Sequence, residues 1–172
     1  THCISSAASD VYKRQIVALF IGLTVSAEEI IKDREILKRE KFLNLSKSSY
    51  LYSKISIMFI ISGIQAMFFV LVGNWILEIN GMWFSYWLIL FTLSCFSNLL
   101  GLNISASFNS VKVIYILIPL LIIPQLLFSG VIVKFDKLHP LFGDESAVPL
   151  IGNVMASRWA YEALAVTQFK DN

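Results

Sequence analysis

The chain has 172 residues, of which 56% are hydrophobic and 13% aromatic, and its formal net charge is only +2. This apolar share exceeds the roughly 45 to 50% of soluble domains, so an ordinary water-soluble core is excluded. Basic residues are interspersed with acidic ones, which argues against nucleic-acid binding. Cys3 lies in a polar segment and Cys95 in an apolar run, so neither a disulfide framework nor a zinc spacing is present. The composition indicates an integral membrane protein.

The first 26 residues divide into a polar and an apolar part. Residues 1–15, THCISSAASDVYKRQ, lack the order of basic, apolar and cleavage regions that defines a signal peptide. They resemble translated library-adapter sequence, and we predict a non-native leader; the alternative is a genuine loop. Residues 16–26 are eleven apolar or small residues, too few to cross a bilayer. We therefore expect them to be the end of a truncated transmembrane helix.

A charge-dense segment follows at residues 27–45 and contains neither Gly nor Pro. We predict a helix here, with Ser26 as its N-cap and acidic residues in its first turn. Glu28 with Lys32, and Glu35 with Arg39, have the spacing of i, i+4 ion pairs. The helix is only imperfectly amphipathic, because charged side chains interrupt its apolar face. This mixture favours docking on a charged protein partner over lying on lipid headgroups, which is the alternative.

Three apolar runs, residues 55–77, 85–108 and 113–133, are each long enough to cross a bilayer, which takes about 20 residues. The segment 27–54 is rich in Lys and Arg, whereas the connection 78–84 has none, so the positive-inside rule places the former in the cytoplasm. By counting spans, we expect residues 134–172 to lie on the outer side. The predicted fold is an all-α membrane protein: a partial bundle of three whole transmembrane helices plus the tail of a fourth.

The predicted spans carry a few polar or small residues and no charged residue near mid-bilayer, which argues against a proton or ion relay. In the second run four of these residues recur on one helix face. Small and amide residues either pack helices closely or line a substrate path, and both interpretations remain open. Pro119 and Pro124 in the third run indicate either a static kink or a flexing element. The candidates for a substrate path are Gln65, Ser94, Asn98, Gly101, Asn103, Ser105 and Gln125.

Motifs for catalysis or cofactor binding are missing from the sequence. It contains no G-x-x-x-x-G-K-[ST], so this chain does not cradle ATP phosphates. No Ser-His-Asp or HExxH grouping occurs either, and we predict no catalytic residue. The spacing of Asp136, His139, Asp144 and Glu145 matches no standard metal motif, and loop solubility explains these residues. We therefore predict no metal site and no cofactor bound by this chain.

Three ordered pieces of sequence resemble the permease domain of type 2 ABC exporters, especially the G subfamily. They are SAEEIIKDREILKREKFLNLSKSSYLYSKI at 26–55, LLFSG at 126–130 and SRWAYEAL at 157–164. The first is similar to the family's first cytoplasmic loop, and the others to the end of span five and the region before span six. The run FGDESAVPLIGNV at 142–154 and the lack of an outer-loop Cys depart from the subfamily, so the resemblance implies no disulfide-linked outer domain.

The resemblance assigns residues 16–26 to the end of span two and the three runs to spans three, four and five. It also makes residues 27–45 a cytoplasmic coupling helix, whose contacts to an ATPase domain would be Glu28, Arg34, Glu35, Arg39 and Glu40. The implied partners are a nucleotide-binding domain carrying ATP and magnesium, a second transmembrane half and the lipid bilayer. The implied location is the bacterial inner membrane.

We therefore expect the transmembrane part of an ATP-driven ABC exporter, which forms the substrate path but does not hydrolyse ATP itself. The alternative is a helical membrane scaffold or accessory subunit that binds a cytoplasmic partner and transports nothing.

Overall fold

The computed structural model describes residues 2–40, 46–77, 83–127 and 155–170. Within these residues the regular structure is entirely helical, as predicted. The six described helices are α1 (His2–Ala27), α2 (Glu29–Glu40), α3 (Lys47–Leu77), α4 (Trp83–Ser107), α5 (Val111–Leu127) and α6 (Ala156–Lys170).

Helices α3 and α4 are long and apolar enough to cross a membrane. Helix α3 begins at Lys47, eight residues before its apolar run, so its first two turns are polar. Helix α5 is apolar over its 17 described residues, and residues 128–133 of the predicted third run lie outside the described part of the chain. Helices α3 and α4 thus cover the first two predicted spans, and α5 covers the described part of the third.

Helix α4 lies at the centre of the bundle, because it packs against α1, α2, α3 and α6. Its Tyr86 and Leu90 are fully buried with Val70 of α3 and Leu164 of α6. Farther along α4, Ile104 packs with residues of α1 and α5. By contrast, α3 turns much of its surface outward, and Phe68 is 65% exposed. Such an apolar exposed face suits hydrocarbon chains and not water.

The boundaries near the N-terminus differ from the sequence-based prediction. Helix α1 runs without a break across the predicted leader boundary at residue 15, and Arg14 of that segment donates a 2.9 Å hydrogen bond to Asn74. Whether residues 1–15 are native stays a prediction. The charged helix begins at Glu29, after a turn at Glu28, and residues 41–45 lie outside the described part.

The N-cap prediction for Ser26 was wrong. Its hydroxyl donates to the carbonyl oxygen of Gly22 at 2.7 Å, four residues earlier in α1. Serine inside a helix commonly bonds back in this way. Of the two predicted ion pairs, Glu28–Lys32 forms at 2.6 Å, whereas Glu35 and Arg39 do not pair among the described side chains.

Of the predicted outer segment, residues 134–172, the structure describes residues 155–170, which contain α6. Helix α6 packs along α1 and α4, and its Ala160 is buried with Leu19 and Leu93. Leu93 is ten residues into α4, which corresponds to about 15 Å at the usual rise per residue. Helix α6 is therefore part of the bundle and does not stand apart from it. The side of the membrane on which residues 134–172 lie stays a prediction.

Candidate functional site

The start of α2 is capped by a side chain from another helix. The Ser105 hydroxyl oxygen of α4 accepts hydrogen bonds from the backbone N–H groups of Ile30 and Ile31, both at 3.0 Å. These N–H groups belong to the first turn, which has no acceptors within its own helix. Ser105 is fully buried, so water does not replace it. One turn later, Arg34 donates to the carbonyl oxygen of Ala106 at 3.1 Å, and α2 is thereby fixed to the end of α4.

A second attachment joins α2 to α3 through charged side chains. The Lys54 ammonium lies 2.9 Å from a carboxylate oxygen of Glu29 and 2.7 Å from one of Asp33. Tyr50, one turn before Lys54, donates its phenolic hydrogen to Asp33 at 2.8 Å. The hydrogen bond from Lys54 lowers the pKa of the Asp33 carboxyl, with a smaller contribution from Tyr50 and against the effect of burial. We call these four residues the Lys54 clamp.

The opposite face of α2 is exposed. Glu35, Lys38 and Arg39 lie there, and the neighbouring Ile36 is 53% exposed. A surface of mixed charge around an apolar side chain suits a protein partner of complementary charge. Helix α2 thus has one face attached to α3 and α4 and one face available for binding.

The predicted coupling residues therefore have different surroundings. Glu35 and Arg39 are on the exposed face, whereas Arg34 bonds to α4 and Glu28 pairs with Lys32 in its own segment. The side chain of Glu40 lies outside what the structure describes.

The predicted polar stripe of α4 lies in the interior of the bundle. Asn98 donates hydrogen bonds to the hydroxyl of Ser62 at 2.6 Å and to the carbonyl oxygen of Met58 at 3.3 Å, both on α3. Ser94, Asn98 and Ser105 are each at most 7% exposed. In a membrane such groups must find partners within the protein, and these contacts supply them to Asn98 and Ser105.

Helices α1 and α4 approach closely along this stripe. A Cβ atom on Gly101 would collide with the Ser26 hydroxyl and lie 2.9 Å from the carbonyl oxygen of Leu23. On α1, a Cβ atom on Gly22 would lie 3.0 Å from that of Ser97. Ser97 also donates to the carbonyl oxygen of Leu19 at 2.6 Å. These contacts are typical of small residues that pack membrane helices. The use of this stripe as a substrate path stays a prediction.

The remaining path candidates are dispersed. Gln65 and Ser94 line a cavity of about 30 Å³ between α1, α3 and α4, which is room for about one water molecule. Asn103 is exposed and donates to Leu99 of its own helix at 2.8 Å. The Gln125 side-chain oxygen is buried without a hydrogen-bond partner among the described residues. Gln65 thus lies beside Ser94 of the stripe, whereas Asn103 and Gln125 lie apart from both.

Several residues of these attachments were missed by sequence analysis. Ser62 and Ser97 gave no signal of their own, because isolated serines are common in membrane helices. Gly22 and Ser26 have the i, i+4 spacing of small residues, and this signal marks a close helix contact. Arg14 was assigned to the leader, yet its guanidinium carbon lies 5.4 Å from the centre of the Tyr86 ring in a cation–π contact.

No cluster suited to a metal ion occurs among the described residues. The acidic and histidine residues considered for such a site, Asp136, His139, Asp144 and Glu145, lie outside them.

The family of the chain follows from comparison with known protein families. The model of the ABC-2 type transporter family matches residues 15–169, nearly the whole chain. The protein belongs to the ABC-2 type transporter family. It is an integral membrane protein and the transmembrane permease component of an ABC transporter, not its ATPase. Neither the curated proteins nor the solved structures gave a match. The match begins at Gln15, the last residue of the predicted leader.

Proposed function

We propose that this permease belongs to an ATP-driven exporter and that α2 receives motion from a nucleotide-binding domain. The observation that carries the proposal is the two-sided character of α2. One face of α2 is held on α4 by the hydrogen bonds that its backbone donates to Ser105 and that Arg34 donates to Ala106. The ion pairs of Lys54 hold the same face on α3. A domain that binds the exposed face would therefore move two membrane helices when it moves α2.

The remaining parts of the proposal follow from the family. ATP and magnesium would be bound by the nucleotide-binding domain, whether that domain is fused or a separate chain. A second transmembrane half would complete the substrate path, and the complex would lie in a bacterial inner membrane. The substrate would be amphiphilic or hydrophobic, since the predicted path carries amides and hydroxyls but no charge.

The proposal is tested by reversing charges on the exposed face of α2 in the full-length transporter. We expect Glu35→Arg with Arg39→Glu to lower transport and substrate-stimulated ATP hydrolysis about fivefold or more, the low end of typical coupling between sites. Membrane insertion should be unchanged, because exposed side chains contribute little to stability. Transport and ATP hydrolysis are measured on the same proteoliposomes.

The control reverses Lys47 and Lys112, two exposed lysines in the first turns of α3 and α5. If this control lowers stimulation equally, the effect is one of general charge. If the α2 variant inserts normally and keeps full stimulation, α2 does not transmit motion and the scaffold function is favoured.

A further inference from the structure

Among the described residues, the Lys54 clamp links α2 to the membrane helix α3 through ion pairs. Lys54 contacts two carboxylates on successive turns of α2, and Tyr50 contacts one of them from the same face of α3. One cation bound to two anions fixes the rotation of α2 as well as its distance from α3. A single ion pair would constrain the rotation of α2 on α3 less.

The clamp is also better shielded than an ordinary surface pair. The side chains of Lys54, Glu29 and Asp33 are 20%, 26% and 27% exposed, whereas Lys32 in the local pair with Glu28 is 62% exposed. Partial burial reduces screening by salt, and a shared cation needs less ordering of side chains for its second contact. The geometry therefore favours a defined arrangement of α2 on α3.

We propose that Lys54 is a positioning residue that sets the angle of α2 on α3. At this angle the exposed face of α2 is presented to the nucleotide-binding domain, and the motion of that domain reaches α3. The second half of this inference rests on the proposed function, whereas the first concerns the permease alone. Attachment to α4 is separate, since it uses Ser105 and the Ala106 carbonyl oxygen. Without Lys54, α2 would stay joined to α4 but turn relative to α3.

The clamp should persist across neutral pH. The pKa of Asp33 is lowered below its ordinary value of about 3.9, so the carboxylate is ionised at every pH well above that value. Its contribution to stability is present at neutral pH and is lost only as the pH falls through the lowered pKa. Between about pH 6 and 8, Asp33 therefore keeps its charge, and differences between variants do not arise from its protonation.

The test measures the position of α2 directly in the full-length transporter. Spin labels replace Lys38 on α2 and Ile64 on α3, both exposed, after replacement of Cys3 and Cys95 by serine. Labelled protein is diluted with unlabelled protein so that distances within one chain dominate. We expect Lys54→Gln to broaden the distance distribution by about twofold or more, because α2 then samples several angles. Lys54→Arg keeps the positive charge and should restore a narrow distribution.

The matched control is Lys32→Gln. It also breaks an ion pair of α2, but that pair lies within the segment and does not reach α3. Its distance distribution should equal that of the parent protein. The triple variant Glu29→Gln, Asp33→Asn and Lys54→Gln should be no broader than Lys54→Gln, since residues of one network are not additive.

The outcomes separate this inference from the proposed function. An unchanged distribution in folded Lys54→Gln overturns the clamp, whatever the ATPase result. A broadened distribution with about fivefold weaker substrate stimulation and normal basal ATP hydrolysis supports both statements. A broadened distribution with full stimulation supports the positioning of α2 and overturns its role in coupling.

Discussion

At the scale of single residues, Ser105 has a role that its sequence position does not reveal. It lies in a predicted stripe of path residues, yet its hydroxyl caps a different helix. We expect Ser105→Ala to destabilise the protein by about 1 to 2 kcal/mol, because it leaves two N–H groups of α2 without an acceptor. The melting temperature in detergent should fall measurably.

The control for Ser105 is Ser107→Ala in the same turn region. Ser107 is exposed, and its hydroxyl only bonds back to Asn103 of its own helix at 2.8 Å. Its removal should leave the melting temperature nearly unchanged. Equal melting of the two variants would show that the cap contributes nothing.

At the scale of the helices, the close contact of α1 with α4 depends on glycine. We expect Gly101→Ala to cost about 1 to 3 kcal/mol, because the added methyl group would meet the Ser26 hydroxyl and backbone atoms of α1. Gly63→Ala is the control, since its nearest neighbour would be the Phe91 ring at 3.4 Å, an ordinary contact. Detergent melting and the amount of folded protein measure both.

Gly101→Ala, together with a further variant, Asn98→Leu, distinguishes packing from a substrate path along the α4 stripe. With Gly101→Ala and Asn98→Leu, packing predicts less folded protein and an unchanged ranking of transported substrates. A path predicts a changed ranking at nearly normal amounts of folded protein. A normal melting temperature for Gly101→Ala would mean that α1 and α4 are not in close contact in the transporter.

At the scale of the whole molecule, orientation in the membrane is the main prediction. The excess of Lys and Arg in residues 27–54 places Lys38 and Arg39 in the cytoplasm and Asn80 and Asp144 on the other side. Cysteines introduced singly at these positions, after removal of Cys3 and Cys95, are tested in whole cells with a membrane-impermeant reagent. We expect the reagent to label the cysteines at positions 80 and 144 and not those at positions 38 and 39. Labelling at position 38 would reverse the orientation.

The sequence by itself determined the class of the protein and the existence of its main helices. In lipid, the backbone N–H and C=O groups of a long apolar run must form hydrogen bonds within the run, and a helix provides them. Such runs therefore predict helices regardless of which segments pack against them. The charged helix was predicted separately, from its lack of Gly and Pro and the spacing of its charges. Glu35 and Arg39 were named as coupling residues through the family resemblance, and that role stays a prediction. The family was also recognised from the sequence, through short motifs in the right order.

Only the tertiary structure decided which side chains act together. Ser26 was predicted to cap α2, but Ser105, more than 70 residues away in sequence, does so. A local capping rule cannot anticipate a donor or acceptor that arrives through helix packing. Likewise, a polar stripe has the same spacing whether it faces a path or a neighbouring helix. The partner is fixed by how α1, α3 and α4 pack, and Lys54 meets Glu29 and Asp33 for the same reason.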